Sequence, residues 1–372
     1  MFVGITNTPR DYAWGSATAI ADLLGTTPSG GPEAELWLGT HPGSPSQTAD
    51  GALSDIATLP FLLKVLAAGS PLSLQAHPTI AQARAGFAAE NAADVPLDAA
   101  TRNYKDELHK PEIIFALTPF RALCGFRPAS ETAASLERLI GVAPGNAPLN
   151  GWLDRLGSDD DIRDCFEWLI SRGPGVSDVV AALVSAASLV EGAHYTLIAE
   201  LAAAYPGDPG IAISLMLNLA ELSPGEVLFL PAGNIHAYIE GLGIELMAAS
   251  DNVLRGGLTP KHVDVEQLLE VLDFTPLPVP FLAASEASPG VQVFAPDIPD
   301  FVLTVVTLDA STPTALVEPA GAFIALSTSG SVALTQGENA STLAPGQALY
   351  SDESGGVTLE GTGQVFIAST RL

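Results

Sequence analysis

The sequence predicts a mainly β protein interrupted by one helical block. Three observations lead there. Short apolar runs separated by Gly, Pro, Ser and Thr fill residues 1–128 and return after residue 212. Residues 129–212 switch to helical spacing. Glycine (35) and proline (29) are both frequent in 372 residues, which favours turns and short strands over helices. That length exceeds one ordinary core and implies two or three domains, and 47% hydrophobic residues supply enough apolar material to pack them.

In chain order, "AELWLGTHPG" (34–43), "FLLKVLAAG" (61–69), "LSLQAHP" (72–78) and "PEIIFALTPFRALCGF" (111–126) read as strands with their loops. A helix is expected after Pro78 and Thr79, in the Ala-rich "IAQARAGFAAENAA". "SETAASLERLIG" opens the helical block with Ser130 at a cap position; Ala133, Leu136, Leu139 and Ile140 give the apolar period. "DDDIRDCFEWLISR", "SDVVAALVSAASLV" and "YTLIAELAAAYPGD" continue it. Strands resume with "GIAISLMLNLAELSPGEVLFLPAGNIHAYIEGLGIELMAAS". "TPKHVDVEQLLEVLDF" reads as a short helix capped by Thr259 with Pro260 in its first turn. After the linker "TPLPVPFLAASEASPG" the chain is all β. Residues 223–238 and 344–359 form a weak repeat, each with a Pro-Gly turn before a short apolar strand, which points to two related β units. Only the first carries a histidine.

The net charge of −27 excludes nucleic acid and anionic membranes as expected partners. No apolar run is long enough to span a bilayer, no signal peptide is recognised, and two cysteines make no disulfide framework. A cytoplasmic protein is expected, with Cys124 and Cys165 as inert core thiols. An acidic chain that held a phosphorylated ligand would need its cations gathered locally. The four lysines are Lys64, Lys105, Lys110 and Lys261.

The apolar strands contain polar residues that burial alone does not explain. Ser73, Gln75 and His77 share one face of "LSLQAHP", since strand residues two apart point the same way. Lys110 and Glu112 share a face at the start of another strand, as do His236 and Tyr238. Glu245 and Lys64 sit inside apolar runs. Buried Lys and Glu are rare unless paired or metal-bound, so five such strands imply one shared polar interior. His77 and His236 offer imidazole, Glu112 a carboxylate and Gln75 an amide oxygen. That donor set suits zinc, and less closely iron or manganese.

Residues 225–236, "GEVLFLPAGNIH", resemble the second motif of the cupin superfamily, Gly-x5-Pro-x-Gly-x2-His, although Glu240 stands where the motif ends in Asn. Within the cupins the chain resembles the type I mannose-6-phosphate isomerases. The resemblance is carried by "DYAWGS" (11–16), "AELWLGTHP" (34–42), "FLLKVLAAGSPLSLQAHP" (61–78), "RNYKDELHKPEIIFALTPFRALCGFR" (102–127) and "PAGNIHAYIEGLGIELMAASDNVLRGGLTPKHVD" (231–264). It implies a catalytic cupin jelly roll over residues 1–128 and 213–285. A helical domain (129–212) would be inserted into it, and a degenerate C-terminal jelly roll would occupy 286–372. It implies one Zn2+ held by Gln75, His77, Glu112 and His236, an essential Arg255, and a phosphorylated hexose as substrate.

The implied reaction moves a proton between C2 and C1 of the open-chain sugar through a cis-enediolate. It needs a proton shuttle and positive charge where the enediolate forms. Shuttle candidates are Glu245, Lys110, Asp251 and a water on the metal; Lys110 and His109 are candidates for ring opening. Ser73, Lys64, Tyr238, Lys261 and Trp14 are candidate substrate contacts, with Lys64, Lys110, Arg255 and Lys261 as the cationic pocket. Lys105 is assigned to a loop, Trp37 to packing, and His41, His194 and His262 to surface or packing roles. A monomer is expected. An iron-dependent oxygenase and a non-catalytic sugar-binding cupin are the competing readings.

Overall fold

The structure is a computed structural model that describes residues 1–353 and 355–370. Two nine-stranded antiparallel sheets carry the architecture, with the helices gathered mainly between residues 129 and 214. The strand pairing is that of cupin-like β units. Neither sheet closes into a barrel among the described residues, so the expected jelly rolls are present as open, facing sheets. No described helix is long and apolar enough to cross a membrane.

The first sheet is organised by the 13-residue strand His236–Ala248. Its N-terminal part pairs with Gln75–Ala76 and Phe120–Phe126; its C-terminal part pairs with Phe61–Ala68 and Glu112–Ala116. Alternation then sorts the side chains. Leu63, Val65, Ala67, Ile113, Phe115, Ile244 and Leu246 point into a core shared with Phe294, Leu303, Ile324 and Phe366 of the second sheet. Phe115 meets Phe294 and Phe366 edge-on, with ring centroids 5.9 and 4.9 Å apart. The other face carries Leu62, Lys64, Leu66, Glu112, Glu245 and Met247, which line a cavity. A sheet covered on both sides explains why "FLLKVLAA" is buried throughout.

Three sequence expectations need correction in detail. The strand around "LSLQAHP" shrinks to Gln75–Ala76, since Pro71 and Pro78 remove the donors that would extend it. The first helix of the block is Ala129–Val142, capped at Pro128 rather than Ser130; Asp159 Oδ1 accepts from the Ala129 N–H at 2.7 Å and so supplies the cap from a distant residue. The helix expected to begin at Thr259 is Val265–Val271, with Asp264 Oδ1 accepting from the Gln267 N–H at 3.1 Å. The helix Ile80–Ala92 has a reciprocal capping box between Thr79 and Gln82.

One connection was not expected. Phe2–Ile5 pairs with Ala348–Ser351, so the first strand lies in the sheet formed by the last residues, not in the sheet of Phe61–Ala68. In the weak repeat, Gly225 and Gly346 both adopt positive φ (96° and 79°). Each then leads into a short strand, Val227–Leu230 in one sheet and Ala348–Ser351 in the other. The helical block reaches the cavity through Tyr205, whose hydroxyl donates to the Pro71 carbonyl at 2.7 Å.

Candidate metal centre and substrate cavity

One cross-strand row builds the centre. Arg255 pairs with Gln75, Gln75 with His236, and His236 with Cys124. Directly opposed residues share a face, so Arg255, Gln75 and His236 project to the same side. Glu112 starts its own strand opposite Met247, and His77 follows one residue after Ala76. Tyr238 and Glu245 both line the cavity although they are seven residues apart, which plain alternation forbids. A register shift between Tyr238 and Glu240 resets the alternation.

His77, Glu112 and His236 offer ligand atoms that all lie within 4.8 Å of one another. His77 Nδ1 is 2.7 Å from the Asn252 carbonyl and His236 Nδ1 is 3.0 Å from the Asn234 carbonyl. A carbonyl only accepts, so Nδ1 carries the proton on both rings and each Nε2 presents a lone pair. Both Nε2 atoms face Glu112 oxygens at 3.3 Å. Both, together with Glu112 Oε2, are buried without a hydrogen-bond partner. Lone pairs facing a carboxylate repel, and each unsatisfied buried atom costs about 1–3 kcal/mol. A cation among them removes both costs. A proton does so poorly at His77, where burial and then Lys110 push the pKa down to about 4. The residues present fit a metal ion. Lys110 Nζ donates to Glu112 Oε1 at 2.6 Å. Burial works against the Glu112 charge, but Lys110 holds its pKa well below the usual range.

Beside the centre runs a second charged row. Lys64 lies opposite Glu245 on one side and Trp37 on the other. Its Nζ is 2.8 Å from Glu245 Oε2 and 3.3 Å from Glu35 Oε1. Burial opposes the lysine's charge, yet Glu245, Glu35 and Glu112 outweigh it and raise its pKa. Burial raises Glu245, with Glu112 and Glu35 adding to the effect and Lys64 opposing it. The Tyr238 hydroxyl is buried without a partner, and burial with the nearby Glu245 charge pushes its pKa up.

The cavity has a volume of about 1020 Å³. Every lysine of the chain lines it, Lys105 included, and Arg10, Arg102 and Arg255 join them. Lys261 has its pKa lowered by burial, then by the positive charges of Arg255 and Lys105. None of these three cations forms an ion pair with a carboxylate among the described residues. Ser73, Trp14 and Asp251 also line the wall. Burial works against the Asp251 charge, but His41, with Nε2 at 3.3 Å from Oδ2, outweighs it and lowers the pKa.

Some assignments change. His109 does not line the cavity; its Nε2 lies 2.8 Å from Asp300 Oδ2, on a loop of the C-terminal residues. His41, assigned to surface or packing, is buried in the cavity wall against Trp37 and Asp251. His262 lines the cavity as well, whereas His194 packs on the Leu217 carbonyl at 3.1 Å. Glu240 is exposed and pairs with Arg121. Burial pushes the Cys124 and Cys165 thiols up to about 12 and 11, as inert thiols require. Glu35 and Arg10 went unassigned; a Glu inside "AELWL" carries the same signal that singled out Glu245.

The curated protein comparisons agree with one another. The mannose-6-phosphate isomerase of Escherichia coli is 37% identical over 388 residues, which covers 97% of each chain. The human mannose-6-phosphate isomerase is 35% identical over 344 residues, 79% of each. The chain belongs to the type I phosphomannose isomerases. The model of that family's catalytic domain, phosphomannose isomerase type I, matches residues 2–58 and 57–129. A crystal structure of mannose 6-phosphate isomerase bound with zinc and yttrium superposes with a TM-score of 0.91 at 34% identity, covering all of both chains. A zinc-bound holo structure matches equally well.

Proposed function

We propose that the protein is a zinc-dependent aldose–ketose isomerase interconverting mannose 6-phosphate and fructose 6-phosphate. The observation that carries this reading is the pair of imidazole lone pairs facing Glu112, which itself lines a cavity that holds every lysine of an acidic protein. Zinc would be held by His77, Glu112, His236 and Gln75, and when bound it supplies a Lewis acid beside the reacting carbons. The phosphate suits the Lys105–Arg255–Lys261 cluster, where three cations repel each other until an anion joins them. Arg255, on the same face as Gln75 and His236, is positioned to neutralise charge on the enediolate.

Glu245 is the proton acceptor this reading favours. Burial raises its pKa toward the range a base needs, and it faces the cavity. Lys110, which also faces the cavity, is suited to assist ring opening; His109, turned to Asp300, is not. Tyr238 and Ser73 serve as hydrogen-bonding groups for the sugar, and Trp14 as an apolar wall. We assign residues 1–128 and 213–285, apart from the first strand, to the catalytic unit, 129–212 to an inserted helical unit and 286–372 to a C-terminal unit. One chain supplies every proposed ligand, so a working monomer is proposed. An oxygenase reading lacks support: the fourth donor, Gln75, takes up a position that such a centre leaves open.

The deciding experiment is a coupled assay on mannose 6-phosphate with metal analysis of the same sample. Chelation should abolish turnover, and zinc should restore it. Arg255→Ala should lower kcat by orders of magnitude at normal zinc content; an unchanged rate would remove Arg255 from the reaction. The C2 proton should exchange with solvent deuterium during turnover, and strict retention would instead indicate hydride transfer.

A further inference from the structure

Most charged groups of the cavity wall are already answered. Glu35 and Glu245 share Lys64, Glu112 holds Lys110, Asp251 holds His41, and Arg102 Nε pairs with Glu90 at 2.9 Å. Lys105, Arg255 and Lys261 form no ion pair among the described residues, but the phosphate of the proposed substrate accounts for them. One cation remains. Arg10 lines the same cavity, yet its guanidinium has no ion pair and no hydrogen-bond acceptor among the described residues, and its Nε is buried without a partner.

Arg10 is nevertheless held firmly. Its backbone N–H donates to the Glu35 carbonyl at 2.7 Å, and its own carbonyl accepts from Ala34 at 2.7 Å. Its guanidinium carbon sits 5.6 Å from the Tyr12 ring centroid and 5.5 Å from that of Trp37. Trp37 also has Lys64 Nζ 5.2 Å from its ring centroid, and its indole N–H donates to Glu35 at 2.8 Å. Trp37 therefore separates two roles. Lys64 spends its charge on carboxylates of the protein, whereas Arg10 keeps its donors free in a cavity wall. Aromatic contacts fix a guanidinium in place but accept none of its planar N–H bonds. A buried donor without an acceptor, here Nε, is costly, and an aromatic-backed fork of this kind matches paired oxygens on a ligand.

The positive charges that act on Lys261 are those of Arg255 and Lys105. Arg10 is anchored instead on the wall formed by Tyr12, Trp37 and Glu35. We infer that Arg10 is a further substrate-binding residue, which donates to hydroxyl oxygens of the sugar and so contributes to specificity for a polyhydroxylated phosphate ester over a bare phosphate. The inference rests on the isomerase reading, and its test separates the two.

The test compares the parent protein with Arg10→Gln and Arg10→Lys. Three quantities are read: KM and kcat for mannose 6-phosphate, the inhibition constant of inorganic phosphate, and the melting temperature with zinc content. Loss of hydrogen bonds from a charged donor should raise KM roughly 10-fold or more in Arg10→Gln. The phosphate inhibition constant and zinc content should stay unchanged. Arg10→Lys should recover only part of KM, because an ammonium cannot reproduce the fork. An unchanged KM in Arg10→Gln overturns the inference, and so does a lowered melting temperature with KM intact, which assigns Arg10 to packing alone. Equal loss of phosphate affinity overturns the assignment to sugar hydroxyls. Absence of isomerase turnover in the parent protein defeats the isomerase reading itself, whatever the Arg10 variants do.

Discussion

The two sheets begin their matching strands with the same Pro-Gly turn, but they bury different things. The first sheet buries Lys64, Glu112, His236 and Glu245 on its cavity face, with His77 beside them. The second buries Ser327, Gln336 and Ser351, all neutral. In the second, the Ser351 hydroxyl donates to Gln336 Oε1 at 2.7 Å, and Gln336 Nε2 donates to the Glu353 carbonyl at 3.0 Å and the Gly355 carbonyl at 3.1 Å. In the first, lone pairs and a tyrosine hydroxyl are left without partners. The second sheet satisfies its buried polar atoms from within, as structural networks do. The first leaves groups open for a cation and a substrate. A strand pattern alone does not make a site; uncompensated burial on one face does.

The comparison can be broken most severely at the metal centre. His236→Ala removes one of the two lone pairs aimed at Glu112, so bound zinc and turnover should both fall to background, measured by metal analysis and the coupled assay. Retention of stoichiometric zinc would mean that the three groups are a structural cluster. Next come the paired charges. Lys64→Met leaves Glu35 and Glu245 buried together without their cation, and unfolding stability should drop by about 3–5 kcal/mol. Gln336→Leu in the second sheet removes only neutral hydrogen bonds and should cost about 1–3 kcal/mol. Denaturant titrations of the two variants would erase the contrast if the costs came out equal.

A smaller effect is expected from Asn252. Its carbonyl accepts from His77 Nδ1, while its side chain accepts from Lys105 N at 2.7 Å and donates to the Leu108 carbonyl at 2.8 Å. Asn252→Ala should loosen that loop and weaken zinc binding by roughly 10- to 100-fold, as partners of metal ligands do. Competition with a chelator measures it, and unchanged affinity would confine Asn252 to the loop. The smallest effect concerns acid. Asp251 has a folded pKa below its ordinary value, because His41 outweighs burial. Its stabilising contribution is therefore complete above about pH 3.9 and lost as pH falls through the lower folded value. Asp251→Asn should flatten the dependence of stability on pH below about 4; an identical acid slope in both proteins would show that the His41 contact contributes nothing.

Much of the site was legible in the sequence because strand alternation is a local rule. "LSLQAHP" and "HKPEIIFAL" display polar residues at spacing two within apolar runs, and that was enough to select Gln75, His77, Lys110 and Glu112 together. Arg10 and His41 lay in readable segments but carried no such signal. Neither sits inside an apolar strand, and nothing local reveals that Trp37 packs against both. His109 looked like a neighbour of the chemistry because it adjoins Lys110; only the fold turns it toward Asp300.

By itself, then, the sequence determined the alternation of apolar and polar positions, the helical block and the donor set for a metal, because each follows from nearest-neighbour geometry along the chain. The tertiary structure alone decided which of those groups meet. It brought Lys105 and Lys261, 156 residues apart in number, to one cavity with Arg255. It reset alternation at the bulge near Tyr238 so that Tyr238 and Glu245 share a wall, and it placed the first strand in the sheet of the last residues. Electrostatic partners are chosen by distance in space, and spacing along a chain does not report that distance once the chain has crossed from one sheet to another.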